Sequence, residues 1–574
     1  MKMQWSILGA SAQGRIRAKK RKKIIKRQDK AMKKKVYAVM AGVLGVSSLM
    51  GACGKPSTGS DVVTIDPNKT QVYVSAWNGG FGLEWLDEAV SRFNAANDKV
   101  QVIVDPNKDI YQSQIAPEIE TGISTCDVFI TAQPGCSDLG VKGYLEDLSD
   151  IWVADVDGNG TTVEGKMIDK DIFKKVYQTE GGTWGLPHSD AMQGFVYDHG
   201  IFESKGWLMT ESDGVTLTKG KDGKYGTYDD GQPVDIAEWD LMLSKMVADS
   251  VYPFLWTGMY ASDYLNSMSE ALLAQYDGLD NYKVSISYDG VYTYPDGKQE
   301  TITPETGYKT IKTPAKKVVM DFMYKYLFQN SNFYHPSAKL NSVSHQDAQN
   351  AFVLGYKNTA ANPQSGMLYD GVWWENEARP VFNSLEKRNE KDYAYGTRDY
   401  RYMLFPNMDG QRGANGDGTG SVMGISESGT IFLKKQSDAE KRGYAKDFIK
   451  YLVSDEVSRL FTTYACGLRP YNYELTEEDK ASMTVFAKNA YDVYSDRENV
   501  TVIRLTPLQR LSEMNYLTSE TVLRWGSKIG NREYKSCYIA LGNGTPDVYY
   551  AGMDSYANAS YWAPIYAKYL ELKN

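Results

Sequence analysis

Trp184, His188, Ser189 and Asp190 fall within seven residues, in the stretch Gly182-Thr183-Trp184-Gly185-Leu186-Pro187-His188-Ser189-Asp190. An indole beside imidazole, hydroxyl and carboxylate groups suits a ligand with hydroxyls around flat apolar faces. The indole covers a face, and burying the polar rim is favourable only when each polar atom finds a partner. The same residues also read as an ordinary Gly/Pro-punctuated turn, followed by the apolar strand Phe195-Val196-Tyr197 and a helix start at Phe202-Glu203. Covalent chemistry has no comparable signature. G-x-S-x-G, a P-loop, a complete Rossmann fingerprint and H-E-x-x-H are absent, and His188, His199, His335 and His345 show no zinc spacing. Abundant carboxylates leave open the pair that a glycosidase needs, but no two are singled out.

Two loops have the composition of hard-cation sites. Lys221 to Gly231 packs Asp222, Asp229 and Asp230 among glycines, as a Ca²⁺ loop of oxygen ligands requires. Asp155-Val156-Asp157-Gly158-Asn159-Gly160 matches positions 1, 3, 5 and 6 of an EF-hand loop, with Asp155, Asp157 and Asn159 as ligands. Position 12 is Lys166, where a bidentate Glu belongs. Both stretches also read as Asx-rich solvated turns. No cofactor is required by the sequence, and structural Ca²⁺ is the one metal it raises.

These residues need a folded frame, which begins well inside the chain. Residues 14–35 are strongly basic, residues 36–52 carry no charge, and Met50-Gly51-Ala52-Cys53 follows. That is the layout of a secretory signal. The Cys resembles that of the bacterial lipoprotein box, whose thiol receives a diacylglycerol, although Met50 stands where Leu is usual. The apolar run is shorter than a membrane span needs. Met32-Lys33-Lys34-Lys35 is already a complete signal start, so residues 1–31 read as an upstream extension outside the true start, 32–52 as the signal peptide and 53–69 as a flexible tether. Residues 1–52 hold 14 Lys/Arg and one Asp, so without them the net charge falls from −8 to −21. An acidic protein of this kind disfavours nucleic acid as partner. Cys126, Cys136, Cys466 and Cys537 remain, an even number that allows one or two disulfides in an exported chain. The 42 Tyr and 12 Trp fit sugar handling and ordinary extracellular folds alike.

Order is expected from Val72-Tyr73-Val74-Ser75-Ala76-Trp77, a strand. A helix with Leu83, Leu86, Val90 and Phe93 on one stripe comes next, then strand Val100 to Val104, a helix over 109–121 weakened by Pro117, and strand Asp127 to Ile130. This β-α-β-α-β run implies an α/β fold with parallel strands. Ligands in such sheets bind beyond the carboxyl ends of the strands, which puts Trp77, Asn78 and Gln133 on the ligand edge. Thr313-Pro314 starts a helix, Ser437 with Glu440 forms a capping box, and Met367 to Glu375 is a strand ending in Gly371 and the pair Trp373-Trp374.

In their order these pieces resemble the bacterial extracellular solute-binding proteins of ATP-driven sugar importers, the maltose-binding-protein group. The matching stretches are Ala116 to Ile130, Trp184 to Tyr197, Ala271-Leu272-Leu273, Ala351-Phe352, Met367 to Trp374, Ile431 through Glu456, and Cys466-Gly467-Leu468-Arg469-Pro470. The resemblance implies a two-lobed, type II periplasmic-binding-protein fold with the ligand in the cleft between lobes joined by hinge crossings. By analogy, lobe I is 70–187 plus 425–500 and lobe II is 188–424 plus 501–574, with extra length near 205–235 and 277–312. It implies capture of a sugar or oligosaccharide without turnover, a lipid-tethered monomer outside the cell, and permease subunits with a cytoplasmic ATPase as partners. Trp77, Trp256 and Trp374, with Trp373 in reserve, are the expected stacking residues. Asn78, Gln133, His188, Asp190 and Arg469 are the expected hydrogen-bonding residues. A secreted glycan-active enzyme and a peptide-binding importer component are the alternatives.

Overall fold

The apolar runs of the sequence become strands of one mixed sheet in the computed structural model, which describes residues 64–107, 114–132, 135–504 and 521–573. The leader, Cys53, the tether up to residue 63 and Gln133 lie outside the described residues. Strands β1 (Thr70–Trp77), β2 (Val100–Asn107) and β3 (Val128–Thr131) are parallel, as the β-α-β-α-β pattern requires. Helix α1 (Glu84–Ala96) buries Leu86, Val90 and Phe93 on the expected stripe, with Trp85 and Ala89 added. Pro117 does not kink its helix: it stands in the first turn of Ala116–Glu120, where its missing N–H costs nothing.

The sheet continues through β4 (Leu186–Asp198), β5 (Tyr252–Leu255), β6 (Ser365–Gly371), β7 (Tyr400–Met403), β8 (Ser421–Leu433) and β9 (Val500–Arg504). Its order is β2-β1-β3-β8-β4-β6-β5, with β7 also on β4 and β9 also on β8. Two strands, β4 and β8, are long enough to serve both halves. β8 pairs with β3 through Thr430–Leu433 and with β9 through Ser421–Ile425. β4 pairs with β8 over Leu186–Gln193, then with β6 and β7 up to Asp198. Every residue of β4 is buried, as a central strand covered on both faces should be.

Two hydrophobic cores lie on either side of this crossing. One is built from residues between Val72 and Leu186 and between Ile431 and Ala487; the other from residues between Met192 and Ile425, Leu468, and residues from Phe486 onward. Helices α2 (Ala261–Asp277) and α3 (Arg379–Lys387) belong to the second half, and α4 (Ala439–Leu452) and α5 (Asp455–Ala465) to the first. Helix α6 (Val485–Ser495), expected within the 425–500 stretch of lobe I, instead sends Phe486, Ala490, Val493 and Tyr494 into the second core. The cap of α4 also differs from expectation: Asp438, not Ser437, accepts the backbone N–H groups of Glu440 and Lys441. Cys126, Cys136, Cys466 and Cys537 are all buried free thiols, so none of the disulfides their even number allows is formed. No helix among the described residues is long and apolar enough to cross a membrane.

Asp190 lies where β4 and β8 cross, beside register shifts at Ile425/Glu427 and Ser428/Thr430. Its carboxylate is fully buried and accepts from Tyr494 Oη at 2.6 Å and Ser428 Oγ at 3.2 Å, and it pairs with Arg504 at the end of β9. Arg504 also pairs with Asp169, from the first half. Burial pushes Asp190 up to about 7, against the hydrogen bonds from Tyr494 and Ser428, and pushes Arg504 down to about 9. Removing one partner leaves an uncompensated buried charge. Asp190→Ala should therefore cost about 3–5 kcal/mol in urea unfolding, and the double change with Arg504→Met should cost less than the two single changes together.

Candidate functional site

A cleft of about 420 Å³, its open mouth included, lies at the carboxyl ends of β1 and β3 and is lined by the first half and β4. Trp77, the last residue of β1, lines it half buried, and Thr131 and Ala132 follow from β3. Half-buried Phe81 joins Trp77 in an aromatic wall that buried Trp85 and Phe461 back, and His188 and Ser189 of β4 form the floor. The turn after β1 explains the two glycines. A Cβ on Gly79 would lie 1.9 Å from the Trp77 ring, and one on Gly80 would lie 2.7 Å from the ring of Trp373. The Gly79-Gly80 turn thus slides between an indole of each half.

Trp373 is the second half's contribution, half buried beyond the carboxyl end of β6. It meets Phe81 edge-on at 6.2 Å and Tyr264 at 6.3 Å. Asn376 Nδ2 donates to the Gly80 carbonyl at 2.8 Å, Arg379 lies 3.7 Å from Glu84, and Arg379 also donates to the Tyr464 carbonyl. These contacts clasp the two halves. Behind Trp373, Gln349 donates to both Asp370 and Glu377, and His345 pairs with Glu377 at 3.1 Å. Burial, then the charge of Glu377, raises Asp370 to about 7.

His188 is held from several sides. Its ring packs on Trp85 and on Phe461, each at 5.1 Å, and its Nδ1 meets Arg469 Nη1. Burial, then the charge of Arg469, drives the imidazole well below its usual pKa, so it is neutral.

The sequence candidates sort as follows. Trp77, His188 and, on the facing half, Trp373 come together at the cleft, and Asn78 is half buried in the turn after Trp77. Trp184 does not reach it: its indole is buried over Gly140 and donates to Thr179 at 2.8 Å. Arg469 stands behind His188, and Asp190 is the ion-pair partner at the crossing, with no face to the ligand space. Trp256 is fully buried among Tyr334, Tyr538 and the Lys339 ammonium. Trp374 is fully buried among Phe352, Phe382, Tyr400 and Phe486. Both are enclosed in the second core, whereas Trp373, one residue before Trp374, is only partly buried against it. Phe81, Trp85 and Phe461 went unseen in the sequence. The first two follow directly on the Gly79-Gly80 turn at the predicted ligand edge, a signal that was present; α5 carries Phe461 in from far along the chain.

The proposed Ca²⁺ loops close on themselves. Asp155 accepts the backbone N–H groups of Gly158, Asn159 and Gly160. Asp157 is paired at 2.6 Å with Lys166, the residue at position 12, whose ammonium also reaches Asp455; the side chain of Asn159 accepts from Thr161 N–H. Asp229 accepts from the N–H groups of Lys221 and Asp222 and from Thr227, Asp230 accepts from Gly226 N–H, and Asp222 accepts from Lys224 N–H. Among the described residues no three His, Cys, Asp or Glu converge as a metal site.

A model of the family described as bacterial extracellular solute-binding protein matches residues 88–489. No curated protein matches the sequence. Among solved structures, a chitin oligosaccharide binding protein aligns at 15% identity with a TM-score of 0.51, covering 85% of this chain and 99% of its own. Maltose-bound MalE3 of T. maritima aligns at 13% identity and 0.51, covering 86% and 100%. A probable secreted solute-binding lipoprotein from Streptomyces coelicolor aligns at 10% identity and 0.52, covering 85% and 99%. The shared fold is the two-lobed type II α/β fold expected from the sequence.

Two outcomes follow from this geometry. Trp374→Ala should lower stability by about 3–5 kcal/mol in chemical denaturation, as removal of a large core side chain does. Asn376→Ala combined with Arg379→Ala should enlarge the radius of gyration in solution scattering by freeing the lobes; an unchanged curve would show the clasp to be idle.

Proposed function

We propose that this chain, which belongs to the family of bacterial extracellular solute-binding proteins, captures a sugar or oligosaccharide outside the cell and releases it unaltered to a membrane permease. The observation that carries the reading is the half-buried pair Trp77 and Phe81 at a pocket backed by buried Trp85 and Phe461 and floored by His188, Ser189 and Thr131, with Trp373 of the second lobe against Phe81. Pyranose C–H faces pack on aromatic rings, and the hydroxyls at the ring edge take the polar partners. Closure of the second lobe brings Trp373 toward the same space and excludes water. Capture rather than turnover is supported by the lining, where none of the described residues is a carboxylate. The same feature weighs against a peptide ligand, whose charged ends call for ionic partners.

Partners follow from the class. The closed form would dock on permease subunits driven by a cytoplasmic ATPase. A diacylglyceryl, further acylated Cys53 would tether a monomer to the outer face of the membrane through a tether ending near residue 69. The names of the solved relatives, one a chitin oligosaccharide binding protein and one maltose-bound, lend support to a saccharide as ligand.

Calorimetry against a panel of mono- and oligosaccharides and short peptides tests the reading. A saccharide should bind without products, and Trp77→Ala should weaken it by roughly ten-fold, the worth of one aromatic contact. Binding of peptides alone, or cleavage of a glycan, would replace this reading with one of its rivals.

A further inference from the structure

We propose that Arg469 is a positioning residue that fixes His188 as a neutral Nε2–H donor, so that the cleft selects a ligand oxygen able to accept a hydrogen bond at that point. The second half of this statement rests on the saccharide reading above; the first does not.

A guanidinium carries donors and no acceptor. Arg469 Nη1 meets His188 Nδ1, so Nδ1 must present its lone pair and the ring hydrogen must reside on Nε2. Arg469 is itself fixed: Nη2 donates to the Leu452 carbonyl at 2.7 Å, and the guanidinium lies 5.6 Å from the rings of both Phe461 and Tyr471. Burial lowers it to about 10, which leaves it cationic at neutral pH. An imidazolium at His188 would set two buried cations against each other.

The ring has no freedom to turn. Trp85 and Phe461 pack on it, and β8 comes so close at Gly429 that a Cβ there would lie 3.2 Å from His188 Cδ2. With Nδ1 taken by Arg469, Nε2 is the ring's remaining polar atom, and His188 lines the cleft. The other ionisable groups nearby are spoken for. Asp190, two residues along β4, pairs with Arg504 and Tyr494; Tyr471 donates to the Pro187 carbonyl at 2.7 Å; Tyr473 bonds Thr462. No carboxylate touches His188 among its described contacts, so nothing there favours a protonated ring. A hydroxyl, ring oxygen or amide carbonyl of a saccharide satisfies this donor; an ammonium does not.

The full chain labelled with ¹⁵N-histidine provides the test, since it holds four histidines and His188→Gln identifies the signal. Long-range ¹H–¹⁵N correlation, without ligand, should show His188 as the Nε2–H tautomer, unmoved from pH 8 to pH 5. Arg469→Met should release it to mixed tautomers and to titration within that range, while Arg469→Lys, which keeps the cation, should hold the ring neutral. An Nδ1–H tautomer, titration in the unaltered chain, or an Arg469→Met ring unchanged in both respects would overturn the assignment, and the first two are read in the unaltered chain once the signal is identified. With a saccharide from the panel, affinity should be flat over the same pH range and fall about ten-fold in His188→Ala. Failure of every saccharide to bind would sink the sugar reading and leave the tautomer result standing.

Discussion

A buried ion pair at a strand crossing is the constraint on which the rest depends. Asp190 and Arg504 meet where β4 and β8 pass from one half to the other, and Asp169, Ser428 and Tyr494 close around them. Such a pair gains little net stability over an apolar replacement, because desolvation offsets the Coulomb attraction. Its effect is geometric. A charged carboxylate with directional partners on β8, α6 and β9 has one good arrangement, and the register shifts beside it let the two strands bend there without losing the ladder on either side.

The ligand surface is built outward from that crossing. His188 is two residues from Asp190 on the same strand, so the polar floor of the cleft and the pivot belong to one rigid piece. The aromatic wall comes from elsewhere: Trp77, Phe81 and Trp85 from the first βα unit, and Phe461 from α5. The facing lobe offers Trp373 and the clasp of Asn376 and Arg379. Binding energy in this layout is divided. In the proposed capture, the lining lies on the first lobe and the shared strand, and the contacts between lobes hold the shut form.

The periodic parts of the chain were legible in the sequence. The stripe Leu86, Val90, Phe93 and the apolar runs of β1 to β3 became the elements they predict, because burial on one face leaves a repeating pattern. The order of motifs carried the family. The site was less legible, for reasons that differ residue by residue. Trp77 reaches the cleft because the carboxyl end of a strand does, and His188 because β4 runs beneath it. Trp256 and Trp374 do not, because an indole after an apolar segment looks the same whether it faces a core or a groove; only the neighbours Phe352, Tyr400 and Phe486 of Trp374 decide it, and they come from distant sequence. Asp190 looks like a ligand group beside Trp184, His188 and Ser189, while the partner that claims it, Arg504, lies more than 300 residues away. Lys166 occupies the twelfth position of the Asp155 stretch, and its ammonium lies between Asp157 and Asp455.

The four buried thiols carry a consequence of their own. Cys126, Cys136, Cys466 and Cys537 are enclosed without being joined, and each half is held by packing and polar contacts alone. The described fold therefore forms without any pairing among these four thiols. It would keep its shape in anoxic surroundings, where cross-linked secreted domains are at a disadvantage.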